Sequence, residues 1–310
     1  MKVVVAGYTG LAGSAIAKEY AKLDYEVVGI NRKVVNLLNK EETFKFIVGI
    51  KPDLVIDAAA KVGGIGANNL YPVEFLLDNL RIQNNLMEAS HQADVPKFIF
   101  LGSSCIYPRN SKQPIKEEYL HTGILEETNS AYAVAKIAGI ELVNSYRKEY
   151  SRKWISLMPT NLYGPRDNFE LNNSHVLPAL IRKFIEAKES KANEIIIWGS
   201  GKPSREFLFV EDLAQAVIIA GNNYDESTHL NIGSGEEVTI SELAHIVARL
   251  TGFSGDIVWD ESKPDGTPRK ILDSSKMNSL GWRSKVTLED GILRTIDWYA
   301  DAKTKGLIRI

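Results

Sequence analysis

Short apolar runs and longer amphipathic stretches take turns along the first half of the chain. Residues 2–6, 25–30, 54–58, 97–101 and 154–158 are near-continuous apolar runs of strand length. Residues 11–23, 41–50, 72–92 and 131–150 place apolar side chains at helical spacing, and Pro52 closes the second of these stretches. Continuous apolar strands, rather than alternating ones, fit a sheet buried on both faces. Strand and helix in strict alternation require right-handed crossovers, hence a parallel sheet covered by helices on both sides. The pattern predicts an α/β fold built on a Rossmann-type, doubly wound parallel sheet.

The second half is less regular. Residues 168–174 are polar and turn-rich, 177–187 read as a helix and 194–198 as a strand. Residues 206–210 read as a strand returning to the main sheet, with 212–220 as its helix; later helices are expected at 239–250 and 288–299. The expected division is a dinucleotide-binding domain of residues 1–165 with 205–233. The remainder, 166–204 with 234–310, forms a smaller α+β substrate-binding domain.

Composition narrows the class. A chain of 310 residues has room for about two domains, and 44% hydrophobic with 25% charged residues is a folded, globular balance. A net charge of −2 argues against a basic nucleic-acid binder. The single cysteine, Cys105, cannot form an intrachain disulfide, and no Cys/His cluster has metal-ligand spacing. No apolar stretch reaches the roughly 18 residues that span a bilayer. The N-terminal apolar run is too short for an export signal, so the cytoplasm is expected.

Gly7-Tyr8-Thr9-Gly10-Leu11-Ala12-Gly13 follows the first strand and opens the first helix. Gly7 allows the tight turn, Gly10 lets backbone approach a pyrophosphate, and Gly13 lets helix and strand pack closely. The helix N-terminus adds positive potential for phosphate. A lone glycine triplet is weak, but this one has the required strand–turn–helix context. Its G-x-x-G-x-x-G spacing resembles the extended short-chain dehydrogenases/reductases. The second strand runs into Asn31 and Arg32, where a carboxylate would bind the ribose hydroxyl of NAD. A cation there suits the 2′-phosphate of NADP(H); an exposed loop arginine is the alternative.

Tyr132 and Lys136 form a Y-x-x-x-K motif, one helical turn apart on one face. The Lys cation is expected to lower the phenol pKa, making Tyr132 a proton donor to a reduced carbonyl. Alone, the motif fits any amphipathic helix. Ser103, however, lies just past the fourth strand, at the sheet edge where open α/β sheets bind ligands, and can hydrogen-bond the same substrate oxygen.

Longer segments resemble the GDP-L-fucose synthases. They include Ala58-Ala59-Ala60-Lys61-Val62-Gly63-Gly64, Gly102-Ser103-Ser104-Cys105-Ile106-Tyr107-Pro108 and Met158-Pro159-Thr160-Asn161-Leu162-Tyr163-Gly164-Pro165. Asn173-Ser174-His175-Val176, Trp198-Gly199-Ser200-Gly201, Arg205-Glu206-Phe207 and Pro264-Asp265-Gly266-Thr267-Pro268-Arg269-Lys270 continue it. The resemblance covers nearly the whole chain. It implies NADPH-dependent conversion of GDP-4-keto-6-deoxy-D-mannose to GDP-L-fucose, by 3,5-epimerisation and then reduction at carbon 4. It also implies a homodimer formed through the helices at 72–92 and 131–150.

The family's epimerisation base and acid match Cys105 and His175. A thiol and an imidazole both titrate close enough to neutrality to exchange protons beside a ketone. The resemblance further implies cofactor contacts from Leu101, Gly102, Ser103, Ser104, Lys136, Pro159, Thr160, Asn161, Leu162 and His175. Substrate contacts are implied from Lys183, Trp198, Arg205 and Arg269, with Lys270 a weaker candidate. Thr9 and Asn39 depart from the family pattern, and both bear on adenosine-ribose recognition. The competing readings are an NAD-dependent nucleotide-sugar 4-epimerase or dehydratase, and a non-catalytic NADP-binding regulator. Ser104-Cys105 lacks the acidic residues of a dehydratase, and the complete Ser103, Tyr132, Lys136 set argues against a regulator.

Overall fold

The structure is a computed structural model that describes residues 1–171, 173–263 and 265–308. Pro264, part of the family-like segment before Arg269, lies outside the described residues. The expected βα alternation is present from the first residue. It runs β1 (Lys2–Ala6), α1 (Leu11–Ala21), β2 (Glu26–Ile30), α2 (Lys40–Ile50), β3 (Leu54–Asp57), a short α3 (Ile65–Leu70) and α4 (Pro72–Gln92). It continues with β4 (Lys97–Leu101), α5 (Ser130–Tyr150), β5 (Ile155–Pro159) and β6 (Asn161–Tyr163). Then come α6 (Val176–Glu189), β7 (Glu194–Trp198), β8 (Ser204–Phe209), α7 (Val210–Asn223), β9 (Leu230–Ile232) and β10 (Glu237–Thr239). The last elements are α8 (Ile240–Thr251), β11 (Asp256–Asp260), β12 (Arg269–Lys270), α9 (Ser275–Ser279) and α10 (Leu288–Thr304).

Six parallel strands form the main sheet in the order β2-β1-β3-β4-β5-β9. Alternate residues of each strand feed two cores, which is why the strands read as unbroken apolar runs. Val3, Val5, Leu54, Ile56 and Leu101 meet α1 and α7. Val4, Val55, Phe98 and Phe100 meet α2, α4 and α5. The chain reverses its direction of travel across the sheet between β1 and β3, so a crevice opens beyond their C-terminal ends.

The expectation that residues 206–210 return to the main sheet is corrected. β8 pairs with β6, β10 and β12 in a separate small sheet, and the three-residue β9 takes the sixth place beside β5. The helix after β8 does return: α7 packs on the main sheet through Leu213, Ala214 and Val217. A third core joins α6, α8 and α10 to the β7–β11 pair through Leu180, Phe184, Ile197, Val247 and Ile292. No helix among the described residues is long and apolar enough to cross a membrane.

Candidate active site

The glycine loop closes one end of the crevice, directly after β1. Gly7 has φ +76°, and a Cβ there would stand 2.5 Å from the carbonyl oxygen of Ala58. Its own carbonyl accepts from Gly10 N at 2.8 Å and would meet a Cβ on Gly13 at 2.3 Å. Loop, β3 and α1 therefore touch backbone to backbone. The first turn of α1 carries no acidic residue to compete for an anion.

A single cavity of about 1340 Å³ runs from this loop to the β7–β11 pair. Gly7, Thr9, Gly10, Leu11 and Ala12 line it, as do Asn31 and Arg32 beyond β2. Tyr8 turns aside: its ring packs over Gly29 and its N–H donates to Ile30 O at 3.1 Å. Gly13 lies behind the turn. Arg32 and Lys33 line the cavity with no ion-pair partner among the described residues, and no carboxylate ends β2. Asn39 serves α2 instead, its side chain capping the helix by accepting from Glu42 N at 3.1 Å. A glycine cradle, a helix N-terminus and two free cations fit a pyrophosphate and a 2′-phosphate.

Ser103, Ser104, Gly102 and Cys105 line the middle of the cavity from the turn after β4, and Tyr132 faces them from α5. Ser103 hydrogen-bonds the Tyr132 hydroxyl and accepts from Cys105 N at 3.2 Å. Lys136 does not reach the cavity. It is 3% exposed, and its Nζ donates to Leu101 O at 2.9 Å while lying 4.7 Å above the Phe100 ring. Burial pushes the Lys136 ammonium below its usual range, opposed by the charge of Asp57.

Tyr132 departs from the sequence expectation. Burial raises its phenol pKa well above the usual value, helped by Cys105 and opposed by the Ser103 hydrogen bond. Its ring lies 5.9 Å from Lys136 Nζ, which is aimed at Leu101 O. Desolvation outweighs the cation, so the tyrosine holds its proton until a stronger base appears beside it.

Cys105 Sγ receives two donors, Lys270 Nζ and Asn129 Nδ2, each at 3.6 Å. His175, at the start of α6, presents its ring to the same cavity. Desolvation by the surrounding protein, then the Lys270 charge, holds its imidazole below the ordinary range. His175 is nonetheless exposed at the cavity wall, so solvent screens both effects. Pro159, Thr160, Asn161 and Leu162 line the wall between β5 and β6, and Asn161 Nδ2 donates to Glu206 O at 2.8 Å.

The far end carries the cations. Arg205 donates to Ser204 O at 2.8 Å, and Lys183 donates to Ile196 O at 3.2 Å. Lys183 and Lys263 stand 5.9 and 5.5 Å from the ring of Trp198, which is 59% exposed at the cavity mouth. Arg269 is not among the lining residues; its guanidinium holds Glu237 at 2.6 and 2.8 Å. Its neighbour Lys270 faces inward beside Arg205, with which it pairs in register. Sequence reasoning passed over Asn129, whose only signal was its place three residues before Tyr132.

The profile of the NAD dependent epimerase/dehydratase family matches residues 3–233. A GDP-L-fucose synthase of Sinorhizobium fredii is 53% identical over 96% of this chain and 94% of its own length. The chain belongs to the NAD dependent epimerase/dehydratase family, among its GDP-L-fucose synthases. Another member of this group, the GDP-L-fucose synthase of Escherichia coli, is 47% identical over 97% of both chains. A GDP-L-fucose synthetase from Naegleria fowleri, solved bound to NADP, superposes with a TM-score of 0.91 at 29% identity, covering 100% of this chain and 96% of that one.

Proposed function

We propose that the protein converts GDP-4-keto-6-deoxy-D-mannose to GDP-L-fucose using NADPH, epimerising carbons 3 and 5 and then reducing carbon 4. The observation that carries this reading is the shared cavity. Cys105 and His175 face the same space as Ser103 and Tyr132, and a simple reductase has no use for the first pair.

The cofactor fits the glycine loop, with its 2′-phosphate at Arg32 and Lys33. When bound, NADPH supplies the hydride that arrives at carbon 4. Carbons 3 and 5 flank the ketone, so their hydrogens are acidic. Cys105, its Sγ 3.6 Å from Lys270 Nζ, takes the proton from one face of each carbon in turn and gives it up to solvent before the second. His175 returns one from the other face. Its lowered pKa makes the imidazolium a stronger acid and the neutral ring the commoner resting form. Ser103 and Tyr132 hydrogen-bond the enolate oxygen, and Tyr132 Oη gives its proton to that oxygen when carbon 4 is reduced. Arg205 and Lys183 hold the GDP diphosphate.

The cofactor is assigned to residues 1–165 with 205–233 and the substrate to 166–204 with 234–310, although β8 bonds into the small sheet. The functional unit is a homodimer. Val73 and Leu77 on α4 and Val134 on α5 are 65%, 40% and 46% exposed on adjacent helices, an apolar face suited to a second copy. The cytoplasm is the compartment, because a cavity-facing catalytic thiol needs reducing conditions. The test is NADPH oxidation with the GDP-keto-sugar and identification of the product. GDP-L-fucose supports the reading; a 6-deoxyhexose with unchanged carbons 3 and 5, or no turnover, overturns it.

A further inference from the structure

β3 reads Leu54-Val55-Ile56-Asp57, and every one of the four is buried. A carboxylate at the end of such a strand is costly to bury. Asp57 is 1% exposed; its Oδ1 accepts from Ala59 N at 3.1 Å, and its Oδ2 takes no hydrogen bond from the described residues. Among the described residues it neither caps a helix nor closes an ion pair. An apolar residue would fill the place at lower cost, since a buried charge must be repaid by a specific partner.

The register identifies that partner. Asp57 is paired with Phe100 of β4, so the two side chains leave the same face of the sheet. That face carries α5, and Lys136 Nζ sits 4.7 Å above the Phe100 ring. Lys136 is also deeply buried, and among the described residues its one hydrogen bond goes to the neutral carbonyl of Leu101. We propose that Asp57 is a positioning residue that keeps Lys136 charged inside the protein and so sets the alkaline limit of the reduction step. The inference rests on the assignment of Tyr132 as the proton donor, with Lys136 Nζ the buried cation 5.9 Å from its ring.

The surroundings leave Asp57 little competition. From α5, Tyr132 and Lys136 face it. Helix α4 contributes neutral groups, Asn79 on the backbone of Lys61 and Gln83 on Ala135 O. Asp78, at the cavity wall, lies 3.8 Å from Lys61, which also pairs with Glu74. β1 offers no titratable side chain here. Burial pushes the Asp57 carboxyl up to about 6, with the Lys136 charge opposing it, so the carboxylate is ionised through the neutral and alkaline range where Lys136 needs it.

The experiment is the pH profile of kcat for NADPH oxidation from pH 6 to 9, for the unmodified protein, Asp57→Asn and Asp57→Glu. Asp57→Asn keeps shape and removes charge. Its rate should match the unmodified protein within about threefold at pH 6 and fall at least tenfold below it at pH 8.5. Asp57→Glu retains the charge and should keep the alkaline limb in place even if kcat drops. Superimposable profiles for Asp57→Asn and the unmodified protein overturn the proposal. So does an identical shift in both variants, which would mark packing rather than charge. Circular dichroism at each pH verifies that the variants are folded. Tyr132→Phe is run alongside: if it reduces at the unmodified rate, the donor pair itself is misassigned, whereas a normal loss beside an unshifted Asp57→Asn profile removes Asp57 alone.

Discussion

Replacing Tyr132 with phenylalanine should separate the two halves of the reaction. The ring is held by packing that phenylalanine retains: Tyr132 is 9% exposed and meets Phe75 edge-on at 6.4 Å. What disappears is one hydroxyl, with its Ser103 hydrogen bond and its proton. The lost hydrogen bond should cost about 1 kcal/mol of stability. The lost general acid should slow reduction by roughly 10²–10⁴-fold, or about 3–5 kcal/mol of barrier. Cys105, His175 and Lys270 are untouched, and Ser103 remains to hold the enolate oxygen. Hydrogens at carbons 3 and 5 should therefore still exchange with deuterated water. Cys105→Ser should do the reverse. It replaces the thiol held between Lys270 and Asn129 with a hydroxyl that does not ionise near neutrality, abolishing exchange and GDP-L-fucose formation. The assays are NADPH absorbance and deuterium uptake by mass spectrometry, on the same samples. The reasoning fails if Tyr132→Phe oxidises NADPH within tenfold of the unmodified rate, or if Cys105→Ser exchanges normally.

Arg205→Ala should weaken GDP binding by about 1.5–3 kcal/mol, the worth of one charge-assisted contact, with NADPH affinity unchanged; titration calorimetry with GDP decides it, and an unaltered GDP affinity refutes the assignment. Arg32→Asp should remove most of a preference for NADPH over NADH, so equal kcat/KM for both cofactors in the unmodified protein would contradict the reading of β2. His229, 5% exposed with Nε2 2.9 Å from Tyr107 Oη, is pushed down by burial to about 4. In the unfolded chain it titrates near 6.5, so the unfolded state binds the extra proton first. Stability should fall by roughly 3 kcal/mol as pH drops from about 6.5 to about 4. Urea midpoints of His229→Gln should lose that slope; an unchanged slope shows that other groups carry it.

The parts of this molecule that were legible in the sequence are those whose neighbours along the chain are also their neighbours in space. The glycine loop joins β1 to α1 directly, and the Tyr132–Lys136 spacing is one turn of a single helix. Apolar strands betray their double burial without naming a partner. The same property misplaced β8: an apolar run shows that a strand is buried, not which sheet takes it, and the short Leu230–Ile232 segment gave too little pattern to compete for the sixth place. Arg269 and Lys270 failed for a related reason. Adjacent strand residues point to opposite faces, but a two-residue strand has no alternation from which to read the phase. Register supplies it: pairing with Ser204 sends Arg269 out to Glu237, and pairing with Arg205 turns Lys270 toward Cys105. Tyr132 shows the limit of spacing as chemistry. One turn brings the lysine close, yet the Leu101 carbonyl decides where its charge goes and burial decides the phenol. Asp57 was passed over for the opposite reason: inside the apolar run 54–58 it is one polar letter, and the run does not show which face its side chain leaves. The pairing with Phe100 places that carboxyl on the face where Lys136 is buried.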